Sequence, residues 1–231
     1  MSNMRILFSI VDYSKGEEMM SLYKDAKLPL FFATHGYGCA DTTIFEYLGF
    51  GENKKSIMIS LVSSERANYI FSLAEEKMNI SKPGKGIIFT VPMTSATAFL
   101  AALIDKDNKN HPKITKEDNA AMTENKYELI ITIVTSGYAA TVKNAAVAAG
   151  SRGGTLIHAL GLGGEEAKKF LGIAIQPEKE IILNVVTREQ KNDVMKAISD
   201  AVGINTEGRG IIFSLPVDAA FGLGGITKSE K

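Results

Sequence analysis

The sequence predicts an α+β protein in which one βαββαβ unit occurs twice. The first observation is a repeated stretch, at residues 83–92 and 207–216, that contains Gly-basic-Gly, Ile-Ile-Phe, a hydroxyl residue, an aliphatic residue and Pro. The second is that residues 57–93 align with 181–217 without a gap. The third is that the same order of strand-like and helix-like patterns precedes both copies. Together these observations predict two domains of about 100 residues each.

Each half begins with a strand and a helix. Apolar runs at Met4–Val11 and Glu128–Val134 predict the first strand, since polar turn residues follow both runs. In the first half the helix is expected at about Lys15–Lys27. In the second half apolar residues recur at helical spacing, and Gly150 is a plausible C-terminal stop. The recurring residues are Val142, Ala145, Ala146 and Ala149.

Two further strands, a second helix and a closing strand complete each half. The second strand is predicted at Leu30–His35 and Gly154–Leu160, and the third at Ser56–Val62 and Ile181–Val186. Helical spacing then predicts the second helix. Its apolar residues are Ala67, Ile70, Phe71 and Ala74 in the first half, and Val194, Ala197, Ile198 and Ala201 in the second. With the Ile-Ile-Phe strand, this order is that of the ferredoxin-like fold, in which two helices cover one face of an antiparallel sheet.

The predicted domain boundaries follow from the repeat. They are a first domain at 1–103, a polar linker at 104–126 and a second domain at 127–231. The linker is rich in Lys, Asp, Asn and Glu and lacks apolar periodicity, although a short helix within it is compatible with the sequence. The Gly-rich end, Phe221–Lys231, is expected to be a mobile tail.

Composition narrows the class of protein. The chain has 26 basic and 26 acidic residues and a formal net charge of zero, which argues against broad adhesion to nucleic acid or to an anionic membrane. Its single cysteine cannot form an internal disulfide and fits a reducing compartment. No apolar run approaches the length of a membrane span. We therefore expect a soluble cytoplasmic protein with no nucleic-acid partner.

The Gly-basic-Gly stretches are the first candidate sites. Glycines let a backbone approach an anion closely, so Gly84-Lys85-Gly86 and Gly208-Arg209-Gly210 are expected to form hairpins with a cation at the tip. The alternative is a strand start with a solvated cation. For His35 and His158, which occupy equivalent strand positions, a shared structural role competes with a paired role at a ligand cleft. The His and Cys residues lack metal-ligand spacing, and no catalytic set is identifiable.

The second half resembles the P-II nitrogen-regulatory signal proteins. Residues 150–163, Gly-Ser-Arg-Gly-Gly-Thr-Leu-Ile-His-Ala-Leu-Gly-Leu-Gly, are similar to the family's Gly-x-x-Gly-x-Thr at the second strand and to its Gly-Phe-Gly turn. Residues 208–217 are similar to the family's Gly-Asp-Gly-Lys-Ile-Phe-x-Leu-Pro-Val. The resemblance covers about 127–217 directly, and 4–93 through the internal repeat.

This resemblance implies a trimer that binds ATP or ADP between subunits. It also implies a protein partner, such as a membrane transporter, that contacts loops 162–178 and 37–54. With two units in each chain, we expect a homotrimer with a pseudo-hexameric body. The implied ligand-binding residues are Arg152, Gly153, Gly154, Thr155, His158, Gly161, Gly163, Gly164, Lys179, Gly208, Arg209 and Gly210. Weaker equivalents in the first half are His35, Gly36, Gly38, Lys55, Gly84, Lys85 and Gly86.

The departures from the family pattern are specific. The loop 162–178 is several residues shorter and has no tyrosine, and Gly164 stands where the family has arginine. Ile211 replaces a lysine, and Arg209 replaces an aspartate. In the first half, the bulky segment Leu28–Phe32 replaces the Gly-rich start of the strand. We therefore expect ligand binding mainly in the second half, with arginines as substitute phosphate-binding cations.

Three interpretations remain open. The first is a P-II-like signalling protein, not an enzyme, that binds a small anionic effector and acts in nitrogen regulation; Arg152 is its strongest single candidate. Its loop 162–178 is expected to be mobile without a partner, since the apolar run Phe170–Ile175 is costly to expose. The second is a trimeric adaptor on the same scaffold that has lost ligand binding. The third, a metal-tolerance protein of the CutA kind, needs ligand clusters that the sequence lacks.

Overall fold

The computed structural model describes residues 4–39, 53–94, 96, 98–110, 126–160, 168–170, 173–175 and 178–223. The chain divides into two compact units. Unit 1 contains Met1–His35, Lys54–Lys126 and Pro216–Lys231, and unit 2 contains Gly36–Asn53 and Tyr127–Leu215. Each unit therefore includes a segment that sequence order alone assigns to the other half.

The elements of the first half follow the predicted order. They are β1 (Met4–Asp12), a 3-10 turn (Tyr13–Lys15), α1 (Gly16–Asp25), β2 (Phe31–Gly38), β3 (Lys54–Ser63), α2 (Ser64–Met78), β4 (Ile87–Pro92) and α3 (Ala98–Asn110). The last three residues of β2 belong to unit 2.

The sheet of unit 1 is built around β1. This strand pairs antiparallel with β3, from Met4↔Ser63 to Asp12↔Lys55, and on its other side with β4. Apolar side chains of β1, α1 and α2 pack into one core, since each element places them on a single face. Within that core the Tyr23 and Ser9 hydroxyls lie 2.6 Å apart, so the two buried polar groups satisfy each other.

Helix α3 changes the interpretation of the predicted linker. The helix continues through residues 104–110, with Ile104 buried and Asp107 buried beside Arg66, whose Nε donates to Asp107 at 2.8 Å. This part of the helix has no apolar periodicity, because one of its two buried positions, Asp107, carries a charge. This part of the linker is therefore a packed helix of unit 1; residues 111–125 lie outside the described residues.

The C-terminal end also belongs to unit 1. Strand β11 (Ala219–Phe221) pairs antiparallel with β4, and the ring of Phe221 lies 5.0 Å from that of Phe71. Asp218 accepts hydrogen bonds from Arg5 and Thr90. The expectation of a mobile tail from Phe221 onward is therefore wrong at its start, because strand pairing and ring packing hold Phe221. Residues 224–231 lie outside the described residues.

The second half has the same βαββαβ order, with two short strands added. Its elements are β5 (Tyr127–Thr135), α4 (Ala139–Ala148), β6 (Thr155–Leu160), β7 (Lys168–Phe170), β8 (Ile173–Ile175), β9 (Glu178–Thr187), α5 (Lys191–Val202) and β10 (Ile211–Val217). The strand order in unit 2 is β10-β5-β9-β6, with β9 antiparallel to both β5 and β6.

Helices α4 and α5 cover one face of this sheet. Val142 and Ala146 of α4, with Val194, Ile198 and Val202 of α5, are buried against Ile130 and Ile182. Ala201, which the helical spacing placed in the core, is exposed, and Val202 takes its place. The predicted α+β class with two βαββαβ units is confirmed.

The loops of the partner hypothesis are described only in part. Within 162–178, β7 and β8 form a short antiparallel pair, with Phe170 opposite Ile173. Residues 162–167, 171–172 and 176–177 of this loop, and 40–52 of the loop 37–54, lie outside the described residues. The expected mobility of 162–178 therefore stays a prediction. Among the described helices, none is long and apolar enough to span a bilayer.

Candidate functional site

The Gly-rich segment 150–154 is the turn between α4 and β6. Gly150 and Gly153 adopt φ values of 95° and 127°, which favour glycine. Asn184 donates to the Gly153 carbonyl at 2.9 Å, and Gln190 donates to the Gly150 carbonyl at 3.0 Å. The turn is therefore fixed by side chains of the neighbouring strand and loop.

Gly154 is required by packing. A Cβ atom there would lie 2.6 Å from Asn184 Nδ2 and 2.8 Å from the Leu183 carbonyl oxygen, closer than real contacts allow. Thr155, the next residue, is buried and pairs with Leu183. The side chain of Arg152 is exposed on the same turn. In this segment the glycines and Thr155 have structural roles, and Arg152 is the remaining binding candidate.

The Gly208-Arg209-Gly210 turn packs closely on its own unit. The Gly208 carbonyl accepts from the Thr135 amide at 3.0 Å, and the Gly210 amide donates to the Val202 carbonyl at 2.6 Å. A Cβ on Gly210 would lie 2.4 Å from that Val202 oxygen. Arg209, at φ 44°, is exposed. The turn joins a helix to a strand, so the predicted hairpin is wrong; the exposed Arg209 stays a binding candidate.

Lys179 lies at the same end of unit 2 as this turn. Its Cα partner across the sheet is Thr135, and its Nζ lies 3.5 Å from the Thr135 hydroxyl. Since the Thr135 amide binds the Gly208 carbonyl, the structure brings Lys179 and the Arg209 turn together. Nearby, the hydrogen bond to Glu207 raises the pKa of the Tyr138 hydroxyl.

Arg152 lies at the opposite end of the sheet. Asn184, which holds Gly153, is five residues along β9 from Lys179. At about 3.3 Å per strand residue, this separation is roughly 16 Å. A single chain therefore does not gather Arg152, Lys179 and Arg209 into one pocket.

The two predicted histidines have similar surroundings. His158 is exposed, pairs with Glu180 across the sheet, and lies edge-on to the ring of Tyr37 at 5.8 Å. His35 is exposed and lies edge-on to Tyr13 at 5.0 Å. Within the described residues, no cluster of His, Cys, Asp and Glu could hold a metal ion. Gly161, Gly163 and Gly164 lie outside the described residues.

The remaining first-half residues have local roles. Gly84 and Gly86 have φ values of 79° and 126°, and a Cβ on Gly86 would lie 2.5 Å from the Ile10 carbonyl oxygen. Lys85 between them is exposed. Lys55 forms an ion pair with Asp12. Gly36 is buried, and the Gly38 amide donates to the Asn53 carbonyl at 2.7 Å.

Sequence reasoning missed a cleft of about 340 Å³ in unit 1, between α1 and strands β2 and β3. We call it the unit 1 cleft; its walls include Tyr13, Ser14, Glu17, Met20, His35 and Met58. His35 was the one wall residue singled out from the sequence. The others carry no motif, because the turn after β1, the first turn of α1 and β3 are brought together only by folding.

Comparison with known proteins supports the earlier resemblance. Residues 127–223 match the family model described as Nitrogen regulatory protein P-II. No curated protein matches the chain. Among solved structures, that of Arabidopsis thaliana PII bound to citrate is 24% identical, with a TM-score of 0.31, and the match covers 42% of this chain and 81% of that one.

Two further structures show a similar level of likeness. The divalent ion tolerance protein CutA1 from Ehrlichia chaffeensis is 11% identical, with a TM-score of 0.36, and the match covers 46% of this chain and 96% of that one. An unknown protein from Galdieria sulphuraria is 9% identical, with a TM-score of 0.29, and the match covers 94% and 99% of the two chains.

The family match confirms the P-II resemblance for the second half of the chain. The match is to residues 127–223, and the proteins of the P-II family are regulatory.

Proposed function

We propose that this protein is a P-II-like regulator that binds a small anionic effector, with ATP or ADP as the first candidates, and controls a protein partner through its loops. The observation that carries the proposal is the family match over 127–223. Two cationic side chains at one end of unit 2, Lys179 and Arg209, support it. Nitrogen regulation is the role that the family match favours.

The position of these cations links an effector to the loop. β6 ends and β9 begins at paired residues, Leu160 and Glu178, so the loop 162–178 leaves and rejoins the sheet beside Lys179. An anion held by Lys179 and Arg209 would contact the base of that loop. Binding would thus favour one loop conformation over others, which is how an effector can change a partner's affinity.

The effector is expected to lie between copies of the chain. Arg152 projects from the far end of the unit 2 sheet, so a second copy is required if it is to join Lys179 and Arg209. The outer strand β10 exposes Ile211 and Phe213, at 55% and 39%, on one of its faces. Apolar side chains exposed on one strand face fit an interface between copies. We propose a homotrimer, to be tested by light scattering; a stable monomer at micromolar concentration contradicts it.

Calorimetric titration of ATP and ADP tests the effector hypothesis. Removing a charged partner of a phosphate costs about 1.5–3 kcal/mol, or roughly tenfold to a hundredfold in affinity. Arg209→Ala, Lys179→Ala and Arg152→Ala should each weaken binding by that amount. Lys85→Ala, in the equivalent turn of unit 1, should change it little.

A matched control variant tests whether the loss of any positive charge in unit 2 weakens nucleotide binding. Lys196→Ala removes an exposed cation from α5, where Lys196 pairs with Asp200 at 2.6 Å. It should leave nucleotide affinity unchanged. Equal losses at Lys85 and Arg209 would mean that both units bind nucleotide. No heat with the unmutated protein would favour the adaptor hypothesis.

One observation favours that adaptor alternative. Gly154, Gly86 and Gly210 are each accounted for by close packing against neighbouring chain, so they do not by themselves indicate an anion site. In a trimer that docks to its partner without an effector, these glycines would have only this packing role. Pull-down of the partner with and without ATP distinguishes the two, since the adaptor binds equally in both.

A further inference from the structure

The unit 1 cleft has a closed end and an apolar floor. A Cβ on Gly16 would lie 2.3 Å from Ser56 Oγ, so α1 rests directly on β3 and closes the cleft there. Met58, 1% exposed, and the partly buried Met20 form the floor, with Ala33 of β2 beside them. Methionine side chains adapt to the shape of an apolar group and contact aromatic rings favourably. The floor therefore suits an apolar or aromatic side chain.

The rim carries opposite charges. Glu17, on the first turn of α1, is an exposed carboxylate in the wall. Tyr13 forms another part of the wall, and Lys54 Nζ lies 4.3 Å from the centroid of its ring. The other charges close by occur in pairs, Lys15 with Glu18 and Lys55 with Asp12. Outside those two pairs, the described residues here include an acid, Glu17 in the wall, and a base, Lys54 over the Tyr13 ring, one for each sign of charge on a ligand.

Polar groups between these charges complete the walls. Ser14 and Ser56 contribute hydroxyls, which both donate and accept, and His35 contributes its ring. The cleft volume of about 340 Å³ lies at the lower end of the range for small-molecule sites, roughly 300–1,000 Å³. A ligand of amino-acid size is therefore appropriate.

We propose that the unit 1 cleft is a second ligand site, for a zwitterionic amino acid with an apolar or aromatic side chain. The α-ammonium group binds Glu17, the α-carboxylate binds Lys54 over the Tyr13 ring, and the side chain rests on Met20 and Met58. This site is separate from Lys179 and Arg209 and does not rest on the effector hypothesis for unit 2.

Three probes of one size separate the two charged contacts. L-Phenylalanine carries both charges, phenethylamine lacks the carboxylate, and 3-phenylpropionate lacks the amine. Each is titrated into the full-length protein labelled with ¹³C at the methionine methyl groups. Met20→Leu and Met58→Leu identify the two floor signals. L-Phenylalanine should shift both signals and should bind about tenfold or more tightly than either half-ligand.

Variants of the two charged residues then test which group of the ligand each residue binds. Glu17→Gln should weaken L-phenylalanine and phenethylamine about tenfold and leave 3-phenylpropionate unchanged. Lys54→Gln should weaken L-phenylalanine and 3-phenylpropionate and leave phenethylamine unchanged. Glu18→Gln and Lys15→Gln, in the neighbouring ion pair, are the matched controls and should have no effect.

Three outcomes would overturn the proposal. They are no shift of the Met20 and Met58 signals at millimolar L-phenylalanine, equal losses in Glu17→Gln and Glu18→Gln, or both half-ligands weakened by the same rim variant. As a test independent of charge, Ala33→Phe fills the cleft from an exposed position and should abolish binding of all three probes. Unchanged binding in Ala33→Phe also contradicts the site.

Discussion

The two Gly-basic-Gly turns share a sequence pattern and differ in how they use it. Both join a helix to a strand, and in both the second glycine lies against a carbonyl oxygen, that of Ile10 for Gly86 and that of Val202 for Gly210. In the first turn the left-handed residues are Gly84 and Gly86, whereas in the second it is Arg209 itself. In both turns a backbone carbonyl therefore requires the second glycine, but that carbonyl lies in β1 for Gly86 and at the end of α5 for Gly210, and only the second turn places a cation at positive φ.

The two units also differ in the elements and the polar contacts that accompany their shared βαββαβ order. Among the described residues, unit 1 adds helix α3 and strand β11 to the βαββαβ order. Its core also contains the Tyr23–Ser9 contact, whereas Ala146 holds the position in α4 that corresponds to Tyr23 in α1, counted from the helix starts. The two units therefore share a backbone plan and differ in their polar contacts.

The largest expected effect concerns α3. Asp107 and Arg66 form an ion pair with side chains only 7% and 4% exposed. Asp107→Asn leaves the buried guanidinium uncompensated and should lower the free energy of unfolding by about 3–5 kcal/mol. Asp105→Asn, at an exposed position of the same helix, should change it little. Urea denaturation measures the free energy of unfolding of both variants. An Asp107→Asn variant as stable as Asp105→Asn would contradict the contribution of the Asp107–Arg66 pair.

The two turns should respond alike at their second glycine. Gly86→Ala and Gly210→Ala each place a Cβ within 2.5 Å of a carbonyl oxygen and should destabilise the protein by about 3 kcal/mol. Gly84→Ala, with φ 79° and nothing within 4 Å of its Cβ, should cost only about 1 kcal/mol. Thermal unfolding measures the three variants. A Gly210→Ala variant as stable as the unmutated protein would show that the Val202 carbonyl does not require glycine at this position.

Alkaline pH should lower the stability of the unit 1 core through the buried Tyr23 hydroxyl. Burial raises the pKa of Tyr23 well above its ordinary value, so the folded protein retains this proton to a higher pH than the unfolded chain. Its contribution to stability is complete below about pH 10 and is lost as pH rises towards the raised pKa. Tyr23→Phe should remove that part of the pH dependence, whereas Tyr13→Phe, at an exposed position, should not.

The buried hydroxyls on β1 and β5 should respond in opposite senses. Ser9 pairs with Met58 in β3 and Thr132 with Ile182 in β9, so the two occupy equivalent positions. The Thr132 hydroxyl is buried without a hydrogen-bond partner among the described residues. Thr132→Val should therefore stabilise the protein by about 1 kcal/mol, and Ser9→Ala should destabilise it by about 1 kcal/mol. A loss of stability in Thr132→Val would indicate a bound water at that hydroxyl.

The smallest expected effect is a gain at Arg209. A non-glycine residue at φ 44° is strained, so Arg209→Gly should stabilise the protein by up to about 1 kcal/mol while weakening nucleotide binding. Lys85→Gly, where no left-handed conformation occurs, should be neutral or slightly destabilising. Differential scanning calorimetry paired with nucleotide titration makes the comparison. Stabilisation with unchanged binding would remove Arg209 from the effector site.

The amino-acid sequence by itself determined the repeat, the order of its elements and the P-II resemblance of the second half. These depend on patterns between near neighbours, such as apolar residues at the spacing of a helix turn, and such patterns survive in any tertiary context. The buried positions of Val142, Ala146 and Ile198 follow directly from that spacing.

Only the tertiary structure decided the packed part of the linker, the strand at the C-terminal end, the reason for the glycines and the unit 1 cleft. Each depends on groups that are distant in sequence. Asp107 pairs with Arg66, and Asp218 accepts a hydrogen bond from Thr90. Gly86 lies against the Ile10 carbonyl, and Glu17 shares the cleft wall with residues of β2 and β3. A buried charge is stabilised by its partner, and a glycine is required by the atom that a Cβ would meet. Neither that partner nor that atom can be read from local spacing, because folding alone brings them together.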